Sequence, residues 1–203
     1  MTESILAFIA ATAILAFSPG PDNIYVLTQS VVNGSRSGLA TTAGLITGCI
    51  VHTTLVAFGI SAVIATSPHL FLAIKIAGAA YLLYIAYKVY GADAHITLAE
   101  GAPKKSYSAL FKQGIIMNIL NPKVTIFFLA FFPGFLWDPN DNTVYQFYTL
   151  GFIFMLESFI IFGGIALVAG RIAPVLKRND TAGILLKWLQ IFVFIGIAIF
   201  ILF

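Results

Sequence analysis

Charge is the scarcest commodity in this 203-residue chain: 9% of its residues are charged and 60% are hydrophobic, with a mean hydropathy of +0.97. An ordinary soluble domain is about 25% charged. A water-exposed surface cannot be built from so little, which excludes an ordinary soluble fold and points to the lipid bilayer as the solvent. Cysteine is nearly absent as well. Cys49 stands alone, so no intrachain disulfide can form. No lysine or arginine precedes Arg36, so the basic start of a signal peptide is missing and the first apolar run is expected to remain as a membrane helix. The alternating pattern of a barrel strand is absent too, and long continuous apolar runs call for helices. There is no phosphate loop, zinc-protease helix or cysteine pair. Nothing argues for an enzyme, a cofactor or a metal site. The net charge of +3 gives no case for nucleic acid, because the basic residues sit between the apolar runs.

What is present is a set of six apolar segments, at roughly 4–32, 39–65, 69–90, 109–136, 145–170 and 182–203. The expected architecture is all-α and integral to the membrane. The first and fourth segments are too long for one straight crossing, and each contains a proline motif that would break it. Lysines and arginines mark alternate connections. Arg36 follows segment one, Lys88, Lys104, Lys105 and Lys112 flank the longest loop, and Arg171, Lys177, Arg178 and Lys187 surround the turn after segment five. The opposite connections, 66–69 and 137–142, carry none, and the latter holds Asp138 and Asp141. The positive-inside rule then places the basic loops in the cytoplasm and both termini outside.

Three segments per half run in opposite senses, so the chain reads as one transporter domain built of two inverted three-helix repeats. These cover about 4–90 and 109–203, joined by a cytoplasmic loop over about 91–108. FSPGPDNIYVL in the first repeat and ILNPKVTIFFL in the second each put proline and a polar residue ahead of an apolar run. Broken segments at matching places of inverted halves point to a transport site. Proline frees backbone carbonyls that hydrocarbon cannot satisfy. A half-helix starting at the break offers N–H groups to a carboxylate. Pro19, Gly20, Pro21, Asp22 and Asn23 at the first break, and Asn118, Asn121, Pro122 and Lys123 at the second, are therefore the candidate substrate-binding residues. Asp22 and Lys123 fall near mid-membrane, where an ionised group costs at least about 2.5–3.5 kcal/mol on insertion scales. They would pair with each other or hold the two charges of a zwitterion. The plainer alternatives are a packing kink for the prolines, helix capping for Asp22 and snorkelling for Lys123.

Glu157 lies at the centre of GFIFMLESFIIFGG and His52 at the centre of GCIVHTTLVAF. A carboxyl in a low-dielectric span is suited to carrying a proton, so Glu157 joins Asp22 as a proton-coupling candidate. Both could also be hydrogen-bonded packing residues, and for a lone histidine packing is the commoner role, so His52 is the weaker candidate. Lys75 is close enough to the end of segment three to snorkel, which leaves it a minor candidate. Ala40, Gly44 and Gly48, and again Ala166 and Gly170, provide small-residue faces for close helix approach. Tyr81, Tyr84, Tyr87 and Tyr90 read as an interfacial belt rather than a cation cage.

SPGPDN, AGLITGCIVH, KIAGAAYLLYIAYKVY and NILNPKVTIFFLAFFPGF, in this order and spacing, resemble the LysE/RhtB family of bacterial amino-acid exporters over nearly the whole chain. The mid-span glutamate fits its neutral amino-acid branch, which handles threonine, homoserine and leucine. The resemblance implies an inner-membrane exporter of small amino acids or derivatives, coupled to protons, with the SPGPDN and NPK breaks forming its site. Related thiol-reductant carriers place one cysteine in each of segments one and four. Neither is present here, which disfavours electron transfer. In the expected mechanism, alternating access moves the substrate outward and an incoming proton resets the carrier. The rival is a channel or passive pore lined by the same broken helices, and a purely structural subunit ranks last. Oligomeric state is left open, a homo-oligomer included.

Overall fold

A computed structural model describes residues 1–18, 20–93, 103–178 and 180–203, and among these every regular element is helical. Helix α1 covers Thr2–Phe17 and α2 Pro21–Asn33; α3, Ser35–Leu55, opens into a π-helical turn at Val56–Ile60 and closes as α4, Ser61–Thr66. Helix α5 is Pro68–Gly91, α6 Tyr107–Leu120, α7 Pro122–Ile126, α8 Thr143–Arg178 and α9 Asp180–Leu202. Four stretches are each long and apolar enough to cross a membrane: Ser35–Ile64, Pro68–Gly91, Thr143–Arg171 and Thr181–Leu202. Two bent pairs join them if each is one span. The α1/α2 pair is bent by 57° and the pair formed by α6 and the Pro122–Phe135 arm by 53°. The breaks fall where the proline motifs predict them.

Local chemistry accounts for the helix ends. Ser67 caps α5 by accepting from the Leu70 N–H at 3.3 Å, with Pro68 in the first turn; Ser106 caps α6 through the Ala109 N–H at 3.2 Å. Beyond α7 the chain widens to a π-helical turn at Phe127–Phe131 and tightens to a 3-10 turn at Phe132–Phe135. Pro133 is the physical reason, because its missing N–H deprives the Leu129 carbonyl of its α-helical partner.

Three expectations need correcting. Arg36 is not in a loop: Gly34 alone, at φ 87°, separates α2 from α3, and Arg36 stands in the first turn of α3. That left-handed backbone position favours glycine. Arg171, Lys177 and Arg178 are also helical rather than looped, since α8 continues to Arg178. A helix need not stop where the hydrocarbon does, and lysine and arginine are good helix formers. Gly170, expected to pack like Ala166, has open space around it, whereas Ala166 packs on Gly38. Most of the loop between α5 and α6, 94–102, lies outside the described residues.

Packing runs α3 on α6, α3 on α8, α5 on α9, and α2 between α3 and α8. The α3–α6 approach is backbone against backbone. A Cβ on Gly44 would lie 2.0 Å from the Phe111 carbonyl oxygen, and one on Gly114 2.5 Å from that of Thr41. At one end of the bundle, Lys187 of α9 donates to the Ala92 carbonyl at 2.6 Å, and Lys88 stands 5.2 Å over the Tyr84 ring. The core is a phenylalanine stack. Phe128 and Phe132 lie 4.1 Å apart, Phe8 of α1 meets Phe132 edge-on at 5.0 Å, and Phe154 of α8 tilts against Phe127 at 5.4 Å.

Candidate substrate site at the two helix breaks

The α1 ladder ends with the Ser18 N–H donating to the carbonyls of Ile14 and Leu15 at 3.0 and 3.1 Å. Gly20 is then the N-cap of α2, Pro21 its first residue and Asp22 its second. The second break repeats this order, with Asn121 as N-cap, Pro122 first and Lys123 second. Opposite charges thus occupy equivalent places after the two breaks. Pro19 lies outside the described residues.

The breaks are tied to each other. Asn121 Nδ2 donates to Asp22 Oδ2 at 2.9 Å, while Asn121 Oδ1 accepts from the Lys123 N–H at 3.0 Å. One amide therefore caps its own helix and holds the carboxylate at the other break. Lys123 Nζ reaches back to the Ser18 carbonyl at 3.4 Å and stands 5.1 Å over the Phe194 ring of α9. It also interacts electrostatically with Asp22. Gly20 makes room for it, since a Cβ there would sit 3.3 Å from Nζ. Asn23 turns inward and donates to the Ala16 carbonyl at 2.8 Å, a group released where α1 ends. Asp22 is 6% exposed, Asn118 4% and Asn121 9%.

Asp22, Asn118, Asn121 and Lys123 line a cavity of about 40 Å³, with Phe127 and Phe154 among its apolar walls. A water needs about 10–15 Å³ on this measure, so a few waters fit. Ligand pockets run to hundreds of cubic ångströms. A free amino acid can occupy this site only after the walls part.

The remaining candidates lie elsewhere. His52 Nε2 is 3.1 Å from the Asn118 carbonyl oxygen, and its ring stacks on Phe128 at 5.4 Å. The Asn118 carbonyl is the one whose α-helical donor would have been the N–H that Pro122 lacks. Asn121 N supplies one replacement at 3.1 Å, and His52, donating from Nε2, supplies the other. Glu157 accepts a hydrogen bond from the Thr12 hydroxyl, joining α8 to α1, and is not on the cavity wall. Lys75 lines a separate hollow with Phe71 and Pro133. Among the described residues no group of three His, Cys, Asp or Glu side chains could hold a metal.

Sequence reasoning passed over Ser158, Cys49 and the phenylalanine walls. Ser158 is 2% exposed and belongs to the lining of the same cavity as Asn118. The signal was available in a hydroxyl next to Glu157 at the centre of an apolar span.

Comparison with known proteins bears on the whole chain. Residues 13–203 match the family model described as LysE type translocator. The homoserine/homoserine lactone efflux protein of Salmonella typhimurium is 34% identical over 171 residues, covering 84% of this chain and 82% of that protein; its Salmonella typhi counterpart matches to the same extent. The uncharacterized membrane protein YrhP of Bacillus subtilis is 33% identical, over 79% of this chain and 80% of that one. No solved structure matches. With its apolar helices and its two joined breaks, the chain is a multi-pass membrane protein that belongs to the LysE-type translocator family, a family of transporters rather than enzymes.

Proposed function

We propose that this protein exports small amino acids or their close derivatives from the cytoplasm across the bacterial inner membrane. The observation that carries the reading is the meeting of the two breaks, where Asp22 and Lys123 flank one buried cavity and Asn121 joins both arms. A zwitterion presents one group to each charge. Its carboxylate goes to Lys123 and its ammonium to Asp22 or the nearby carbonyls. The helix N-termini contribute less than expected. Asp22 already occupies that of α2, and α7 is only five residues long before the π turn. The efflux relatives support the direction of transport and a substrate as small as homoserine.

Alternating access follows from six spans arranged as two inverted repeats within a single domain. The packing supports that arrangement, because α3 on α8 and α5 on α9 are the helix pairs that an inverted two-fold would map onto themselves. The closed cavity, walled by phenylalanine, favours such a carrier over a passive pore. Both termini face outside. The substrate leaves outward, and a proton taken from outside by Asp22 or Glu157 resets the carrier. His52 serves the backbone at the second break instead.

The test is efflux of preloaded labelled homoserine from membrane vesicles under an imposed proton gradient. Saturable, counterflow-capable efflux is expected, with its proton dependence lost in Asp22→Asn or Glu157→Gln. Wild-type rates and proton dependence in both variants would remove the coupling assignment, and conductance beyond carrier turnover would favour the pore.

A further inference from the structure

We propose that α1 is the outward gate of this carrier: it swings about its C-terminal end into the groove it shares with α9, and the hydrogen bond between Thr12 and Glu157 is the latch that holds it shut. The inference rests on the exporter reading above, in which α1 lies in the outer half of the membrane.

A wall of the cavity has to move before a substrate can leave. The arm after the second break is fastened to α8. Gln146 of α8, 2% exposed, accepts from the N–H groups of Trp137 and Asp138 at 2.9 and 3.2 Å and donates to the carbonyls of Asp138 and Asp141 at 2.6 and 2.9 Å. Both donors and both acceptor sites of that amide are used. Helix α3 is locked to α6 by the backbone contacts at Gly44 and Gly114. The remaining wall is α1, which contributes Leu15 and Ala16 to the cavity lining.

One narrow stripe holds α1 in place. Its buried residues are Phe8, Thr12, Leu15 and Ala16, at helical spacing. Phe8 meets Phe132 and Phe135 edge-on at 5.0 and 5.2 Å, and the Thr12 hydroxyl bonds Glu157 of α8. Lys123 holds the Ser18 carbonyl at the end of the helix. The other side of α1 is free to move. There a groove of about 570 Å³ is lined by Ala7, Ala10 and Ala11 of α1 and by Leu189, Gly196 and Phe200 of α9. Small side chains let two helices approach closely, and a Cβ on Gly196 would meet nothing within 4 Å. Lipid chains are as apolar as leucine, so trading lipid for α9 against this face changes little. The cost of the swing is concentrated on the buried stripe.

The latch can open without stranding its donor. Thr12 Oγ1 also has the Phe8 carbonyl at 2.7 Å, so a hydroxyl released by Glu157 is still satisfied within its own helix. A hydrogen bond between membrane helices biases an equilibrium by about threefold to twentyfold, enough to favour the closed gate without freezing it. Substrate loading acts on the same helix. A carboxylate bound to Lys123 competes with the Ser18 carbonyl and so frees the end about which α1 turns.

Two glycines test the swing. Gly196→Phe fills the groove, whereas Gly164→Phe puts the same ring on α8, where a Cβ also meets nothing within 4 Å. Homoserine efflux from preloaded vesicles should fall about tenfold or more in Gly196→Phe and stay within about twofold of wild type in Gly164→Phe, with thermal unfolding of both near that of wild type. The latch is read without a substrate. Leu15→Cys is labelled from outside by a membrane-impermeant thiol reagent, and modification at residue 15 is separated from that at Cys49 by peptide mass. Adding Thr12→Val, which keeps the shape and removes the hydroxyl, should speed labelling about threefold or more. Thr12→Ser should leave the rate near that of Leu15→Cys alone, and Gly196→Phe should cancel the gain from Thr12→Val. Wild-type efflux in Gly196→Phe, or an equal loss in Gly164→Phe, would overturn the swing. Labelling indifferent to Thr12→Val would overturn the latch. If wild type exports no homoserine, the exporter reading falls while the labelling still decides the gate.

Discussion

The two helix breaks do the same geometric work by different means. At the first, three residues separate α1 from α2, and the loosened carbonyls are served by side chains: Asn23 bonds Ala16, and Lys123 reaches Ser18 from the second break. At the second, Asn121 alone separates α6 from α7; its side chain caps the new helix and its own N–H closes back on Asn118. The first break therefore depends on the second, while the second is largely self-supporting. Their charges differ in the same sense. Asp22 sits favourably at the positive end of α2, whereas Lys123, at the equivalent place, gains nothing from its own helix and must be held by acceptors across the interface. Two similar proline motifs thus give one anchored arm and one arm that responds to whatever binds Lys123.

The sharpest way to break this comparison is Lys123→Met. It removes the donor to Ser18 and the cation that stands on the far side of the cavity from α2's carboxylate. Homoserine efflux should fall by more than about a hundredfold; a rate above half of wild type would show that the second break does not supply the working cation. Asp22→Asn is next. The asparagine still accepts from Asn121, so unfolding in detergent should change by less than about 1 kcal/mol while efflux falls about tenfold or more. Equal damage to stability and transport would mean that Asp22 is only a cap.

Asn121→Ala and Asn23→Ala sharpen the asymmetry itself. Asn121 serves both breaks and Asn23 one, so thermal unfolding should show Asn121→Ala to be the more destabilising by about 1 kcal/mol. Reversal of that order would contradict the dependence of the first break on the second. The smallest effect belongs to His52→Phe. It keeps the ring against Phe128 and removes one donor from the doubly served Asn118 carbonyl. A stability loss of about 0.5–1.5 kcal/mol is expected, with the proton dependence of efflux preserved. Altered proton dependence would return His52 to the coupling path.

Much of this was legible before any coordinates. A proline without an N–H must end a ladder wherever it falls, so SPGP and NP located both breaks, and Asp22 and Lys123 followed as the charges beside them. Arg36, Arg171, Lys177 and Arg178 were misplaced into loops because hydropathy reports where hydrocarbon ends, and helices do not end there. Pro133 drew no notice, although the same rule that found Pro122 gives a second disruption in that arm. Glu157 and His52 were recognised as polar residues in apolar spans, but their partners, Thr12 and the Asn118 carbonyl, come from other segments. Ser158 was missed because serine is ordinary in a membrane helix. It is unusual here only because its hydroxyl does not bond its own helix.

The sequence by itself determined the solvent, the approximate spans, the two breaks and the family resemblance, since all of these depend on local composition and on the covalent chemistry of proline. Only the tertiary structure decided which break supports the other, that Asn121 bridges to Asp22, that Glu157 faces α1 instead of the cavity, and that the Ser158 hydroxyl has no partner among the described residues. Those are relations between segments as much as 145 residues apart, and hydrogen-bond satisfaction across such distances is a property of packing.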